Sequence, residues 1–196
     1  THTKKHGCMD SSHLLYLLYG GNAVYRQEAK LSILSALRER RVPDSFTITL
    51  MTDEPQTFEG WPVTVIALST ETLAQWKGAY GYTHRRKACA IAAGAKLADK
   101  TIFVDTDTVF FKDPALLFER ISDQQYLMDE FEWEWAEAKL RADYVAFSDE
   151  LIANGKAPAD SLKLYSSGIC GMTRANAGAL DKAIALIDEW NRHYAK

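Results

Sequence analysis

Short apolar runs alternate with helical spacings along the chain. His13–Tyr19 (HLLYLLY) is a continuous apolar run closed by Gly20-Gly21, the pattern of a strand buried on both faces. Asn22 then caps a helix predicted to reach about Glu39, with Val24, Leu31, Ile33, Leu34 and Leu37 as its apolar side. Phe46–Met51 and Val63–Leu68 predict two more strands, the first ending at Thr52-Asp53, and Ser69 or Thr70 caps a short helix through Trp76. Thr83–Leu97 is Ala-rich and helical, Thr101–Val104 is a fourth strand that stops at Asp105, and Tyr126–Met128 is a fifth. Glu132–Ala153 carries Trp133, Ala136, Leu140, Tyr144, Phe147 and Leu151 at helical spacing and is expected as one long amphipathic helix. Ser167–Met172 predicts a late strand, and Asn176–Tyr194 a closing helix.

Strand–helix alternation on this scale predicts an α/β fold with a mainly parallel sheet and helices on both faces. Such sheets bind ligands at the carboxyl ends of their strands. Interest therefore falls on Gly20–Tyr25, Thr52-Asp53, Asp105–Asp107 and the Ser166–Gly168 region. No linker divides the chain, so residues 13–196 are expected as a single domain behind a polar N-terminal tail, residues 1–12.

Composition narrows the choice of partner. A chain of 196 residues is long enough to bury a proper core. Its net charge of -3 gives no basic field for a nucleic-acid backbone, so any anionic ligand must be held by local groups or by a metal. Cys8, Cys89 and Cys170 are scattered, which argues against a disulfide framework and for a reducing, cytoplasmic setting. Cys89 and Cys170 sit in apolar surroundings and read as core fillers. No apolar run approaches the roughly 18 residues that a transmembrane helix needs.

The sharpest chemical signal is Thr101-Ile-Phe-Val-Asp105-Thr106-Asp107. Carboxylates two apart at a strand end project to one side, because strand side chains repeat every two residues. Hard oxygen ligands at that spacing suit Mg²⁺ or Mn²⁺, which also binds phosphate oxygens and keeps room for water. With 14 Asp in the chain, about one such pair is expected by chance, so its place after an apolar strand carries the signal. A bland reading stands beside it, in which both carboxylates only cap a turn.

His84-Arg-Arg-Lys-Ala-Cys-Ala-Ile, followed by TIFVDTDTVFFKDPALLF, resembles the core of GT-A-fold glycosyltransferases, in particular the group of glycogenin and the lipopolysaccharide galactosyltransferases. The resemblance implies a Rossmann-like GT-A fold and a hexosyltransferase-type enzyme. It would move a sugar from a nucleotide-diphosphate donor, a UDP-sugar, to a glycan or other hydroxyl acceptor with Mn²⁺ or Mg²⁺. It places Asp105 and Asp107 as the metal pair, with Thr106 between them at the donor, and Arg86 and Lys87 against the diphosphate or donor sugar. Asn22-Ala-Val-Tyr25 resembles the Asp-x-x-Tyr that stacks on the base, and Ser166, Ser167 and Gly168 stand where the family has an Asn-Ala-Gly or Asn-Ser-Gly acceptor contact. Asp129 and Glu130, after the fifth strand, are candidates for the base or for orienting sugar hydroxyls. They are equally suited to opening the next helix, where negative charge favours the helix dipole.

The sequence also departs from that family. Asn22 replaces an Asp, Tyr165-Ser-Ser-Gly168 replaces the Asn-containing triplet, and the closing His-x-x-Gly-x-x-Lys-Pro-Trp segment with the third metal ligand is absent. The chain is short for the group, which leaves open a missing C-terminal part. Two other readings remain. Asp105-Thr-Asp107-Thr-Val also fits the nucleophile and acid/base motif of haloacid-dehalogenase-like phosphatases, although no Asp-Asp or Gly-Asp follows it. A non-catalytic nucleotide-sugar-binding relative is the third. The sequence names neither sugar nor acceptor, and the resemblance alone favours retention of configuration.

Overall fold

The computed structural model describes residues 11–134, 142–155 and 163–194. Its strands are β1 (Ser12–Leu18), β2 (Thr47–Thr52), β3 (Thr64–Ala67), β4 (Lys100–Val104), β5 (Leu127–Met128), β6 (Phe131–Glu134), β7 (Lys163–Tyr165) and β8 (Ile169–Thr173). Six of them form the central sheet in the order β3-β2-β1-β4-β8-β5, and β6 pairs with β7 apart from it. β1, β2, β3 and β4 run parallel, whereas β8 lies antiparallel between β4 and β5. The helices are α1 (Ala23–Glu39), α2 (Thr70–Lys77), α3 (Arg85–Gly94), α4 (Ala115–Phe118), α5 (Ala142–Ala153) and α6 (Gly178–Tyr194). The expected mainly parallel α/β architecture is therefore present. No described helix is long and apolar enough to cross a membrane.

Strand alternation sorts the core onto two faces. Leu14, Tyr16 and Leu18 of β1, with Ile102 and Val104 of β4, pack against Ala29, Ile33 and Ala36 of α1. Leu15 and Phe103 point the other way, into Leu73 of α2 and Ala90 and Ile91 of α3. Each aliphatic side chain fully buried in this way contributes roughly 1.5–3 kcal/mol. Asp105 continues the parity of Phe103 and so emerges on the α3 side.

Three expectations need correction. In α1 the residues that face the sheet are Ala29, Ser32, Ile33, Ser35 and Ala36, while Val24, Leu31 and Leu34 are more than half exposed. Small residues bring the helix close, and the buried hydroxyls have partners: Ser32 meets the Tyr16 hydroxyl at 3.0 Å, and Ser35 accepts the Phe110 N–H at 2.9 Å. The long helix over Glu132–Ala153 is not continuous. Phe131-Glu-Trp-Glu134 alternates with the period of a strand and pairs antiparallel with β7, and the described helix of this stretch is Ala142–Ala153. Of the proposed stripe only Leu151, partly buried, has a described side chain; those of Trp133, Ala136, Leu140, Tyr144 and Phe147 lie outside the described residues. The helix expected over Thr83–Leu97 is shorter, leaving Thr83 and His84 in the loop before it. At the N-terminus, β1 begins at Ser12, and Ser11 is held by Asp99 Oδ2 through its N–H (2.9 Å) and hydroxyl (2.8 Å). Residues 1–10 of the expected tail lie outside the described residues, as does Cys8.

Candidate functional site

β8 is antiparallel, so its amino end lies beside the carboxyl ends of its neighbours. This is why Ser166–Gly168, which precede β8, meet Asp105, which follows β4 and donates its N–H to the Gly168 carbonyl at 2.8 Å. The chain then turns, with Thr108 N–H bonded to the Asp105 carbonyl at 3.1 Å, and Asp107 is left exposed on that turn.

Lys87 projects from the first turn of α3 to the same point. Its Nζ donates to Asp105 Oδ2 at 2.7 Å and to the Ser167 carbonyl and Oγ at 3.2 and 3.3 Å, and it lies 5.3 Å from the Phe103 ring centre. Burial holds the Asp105 carboxyl above the ordinary carboxylate range against the bonding and charge of Lys87, with Asp107 and Asp129 adding repulsion. Among the described residues Lys87 pairs with Asp105 alone, so the repulsion from Asp107 and Asp129 favours a further cation near Asp105.

Asp129 reaches the cluster through Gly168. A Cβ at that glycine would fall 2.7 Å from Asp129 Oδ2 and 3.8 Å from Asp105 Oδ2, so only glycine leaves the space into which both carboxylates converge. The Ser166 hydroxyl donates to Asp129 Oδ2 and accepts the Gly168 N–H, both at 3.2 Å. Glu130 contributes its backbone carbonyl, which accepts the Ser166 N–H at 2.8 Å, and its side chain is exposed.

A cavity of about 200 Å³ opens beside this cluster, between Tyr19 and Tyr25 on one side and Thr83, His84 and Lys87 on the other, with Asp105 and Thr106 at its end. Tyr25 is half exposed, so its ring is available for stacking. The loop that leads into its helix, α1, is fixed at two points. Gly20 and Gly21 adopt φ of 90° and 70°, the left-handed region that glycine tolerates. Gly20 N–H donates to Asp53 Oδ2 at 3.0 Å, and Arg26 ties the Gly21 carbonyl (2.9 Å) to Glu54 Oε2 (2.8 Å).

Thus Tyr25, Lys87, Asp105 and Thr106 share one cavity, and Ser166, Ser167, Gly168 and Asp129 adjoin it. Two candidates are engaged otherwise. Asn22 Oδ1 accepts the Val24 N–H at 2.8 Å as the cap of α1. Arg86 donates to the Leu73 carbonyl at 2.8 Å and stacks 4.8 Å from the Tyr19 ring, reaching the cavity only through that ring. Tyr19, Thr83 and His84 are lining residues that sequence reasoning missed. Helical spacing places Thr83 and His84 in the helix, and their position before a basic helix start at the sheet edge is the available signal. Buried Cys170 has its thiol pushed up to about 11 by desolvation, so it stays protonated at neutral pH and is no nucleophile.

No family profile matches the sequence, and no characterised protein matches it by sequence comparison. Solved structures do match its fold. The apo form of mouse xyloside xylosyltransferase 1 superposes with a TM-score of 0.56 over 91% of this chain and 74% of that one, at 14% identity. The apo form of WbbM, a bifunctional glycosyltransferase, gives 0.54 over 90% of this chain at 11% identity, and this chain spans 34% of WbbM. The fold is accordingly GT-A-like, the architecture of glycosyltransferases.

Proposed function

We propose that this chain is a glycosyltransferase that takes a sugar from a nucleotide-diphosphate donor, a UDP-sugar, and transfers it to an acceptor hydroxyl. One observation carries the reading. A cationic Lys87, the Asp105 carboxylate and the Ser167 backbone meet at 2.7–3.2 Å at the edge of the sheet, beside a cavity walled by two tyrosines. An aromatic wall suits a nucleobase, and the ammonium suits the diphosphate that follows it.

Asp105 and Asp107 would hold Mn²⁺ or Mg²⁺, the hard cation their oxygens fit. When bound, that ion supplies Lewis-acid neutralisation of the diphosphate leaving group. Among the described residues no three His, Cys, Asp or Glu side chains are grouped as a ready-made metal site, so donor phosphates and water must complete the shell. Lys87 adds a fixed positive charge on the leaving-group side. In transfer the anomeric carbon exchanges its bond to the phosphate oxygen for one to the acceptor oxygen, and the acceptor hydroxyl gives up its proton. Asp129 is the better placed of the two acidic candidates to take that proton or to orient the sugar, because it converges with Asp105 on Gly168. Arg86 supports Tyr19 rather than the phosphates in this reading.

The phosphatase alternative finds no support of this kind. It requires a downstream acidic pair to complete its metal site, and no Asp-Asp or Gly-Asp follows Asp107. Incubation with a panel of radiolabelled UDP-sugars, Mn²⁺ and simple glycosides should yield labelled glycoside from at least one donor. Release of phosphate from p-nitrophenyl phosphate without sugar transfer would favour the phosphatase. Nucleotide-sugar binding with no turnover on any acceptor would favour a non-catalytic relative.

A further inference from the structure

A second cavity, of about 360 Å³, lies across Lys87 from the first. His84 and Lys87 line both, so these two side chains form a partition between the compartments. The second is walled by Tyr82, Ala88 of α3 and Ile187 of α6, with Ser167 at its polar edge. The Tyr82 and His84 rings, which line it, stand 5.4 Å apart at 54°, and Tyr82 is held from outside the lining by Trp190 at 6.0 Å. The opposing helices are locked together by Arg85 of α3, whose Nε and Nη2 donate to both oxygens of Asp188, next to Ile187, at 2.7 and 2.9 Å.

We infer that this second cavity is the acceptor subsite, and that it takes the apolar face of a pyranose ring. The inference rests on the glycosyltransferase reading above and specifies its acceptor. A transfer reaction needs donor and acceptor on two sides of one reacting carbon, and here two compartments meet at one ammonium. The first compartment holds the Asp105 carboxylate, Thr106 and Tyr25, the groups that suit a metal-bound nucleotide. The second offers aromatic and aliphatic walls with a hydroxyl and a cation only at the partition. A sugar ring has the matching character: C–H groups on one face to lie on an aromatic surface, and hydroxyls at its rim to reach Ser167. The volume is within the roughly 300–1,000 Å³ typical of small-molecule sites.

Saturation-transfer NMR of p-nitrophenyl β-glucoside, β-galactoside and β-xyloside, with UDP and Mn²⁺ present, tests this on the full chain. At least one pyranoside should receive saturation, strongest on its axial ring protons. Ile187→Arg, which fills the cavity from α6, should reduce that signal at least fivefold, Ile187→Ala should retain it, and UDP affinity should stay within twofold in both. Comparing UDP with UDP-glucose and UDP-xylose on the same proteins distinguishes the other source of a sugar ring. If Ile187→Arg selectively weakens a UDP-sugar relative to UDP, the cavity holds the donor's sugar and the inference is overturned. It is equally overturned if no pyranoside binds a parent that binds UDP, or if binding survives Ile187→Arg. A parent that binds no UDP sinks the underlying reading, an outcome distinct from these.

Discussion

At the scale of single residues, the site depends on a missing side chain. Gly168 lets Asp129 and Asp105 approach the same point, and a methyl group there would sit 2.7 Å from Asp129 Oδ2. Gly168→Ala should therefore lower transfer at least about tenfold, near 1.4 kcal/mol of transition-state stabilisation. The melting temperature should move little, because Asp129 is exposed and can swing aside. A variant with full activity would remove Asp129 from the chemistry. Buried His13 sits between Thr49 (2.9 Å) and Thr101 (2.8 Å), and burial pushes its pKa down from 6.5 to about 4. The unfolded chain takes up a proton there below about pH 6.5 while the folded one does not, so stability falls as pH drops through that window. The loss amounts to about 2 kcal/mol by about pH 5. Urea midpoints from neutral pH to pH 5 should show a shallower slope in His13→Gln than in the parent, and equal slopes would contradict this assignment. The direction of Asp105 was legible in the sequence because it continues the strand parity of Phe103, whereas that of Asp107 was not, because the chain turns directly after Asp105. The Ser166–Asp129 contact was not, since no local pattern joins residues 37 positions apart.

At the scale of elements, the start of α1 combines two roles that separate variants should resolve. Asn22 caps the helix, and its replacement by Ala should lower stability by about 1 kcal/mol. Tyr25 stands half exposed in the cavity wall, and Tyr25→Ala should weaken UDP binding by roughly 1–3 kcal/mol with little change in melting temperature. Calorimetry and thermal melts on both variants check this, and unchanged UDP affinity in Tyr25→Ala would take the ring out of the site. The cap was legible because Asn before a helical pattern has a local mechanism. The buried face of α1 was not. The spacing of large apolar residues pointed to Val24, Leu31 and Leu34, whereas close packing against β1 selects Ala29, Ser32, Ile33 and Ala36. The hydroxyl partners that make buried serines tolerable come from Tyr16 and Phe110, outside the helix. Likewise β6 was hidden because a four-residue alternation adjoins a longer helical spacing.

At the scale of the molecule, short apolar runs at regular intervals were enough to foresee a parallel α/β sheet and to direct attention to its carboxyl edge. They could not show that β8 runs antiparallel between β4 and β5, because strand direction depends on pairing rather than on local pattern. That reversal brings Ser166–Gly168 to Asp105 and Lys87, and it turns two separate sequence signals into one site. The central claim is that this site binds a nucleotide through a cation held by Asp105 and Asp107. Calorimetric titration of UDP, with and without Mn²⁺, into the parent, Asp105→Asn and Asp107→Asn tests it most directly. The parent should bind UDP at least about tenfold more tightly with Mn²⁺, a gain of about 1.4 kcal/mol, and each variant should lose that gain while keeping its melting temperature. Variants that retain the parent's affinity and its full response to Mn²⁺ would contradict the account.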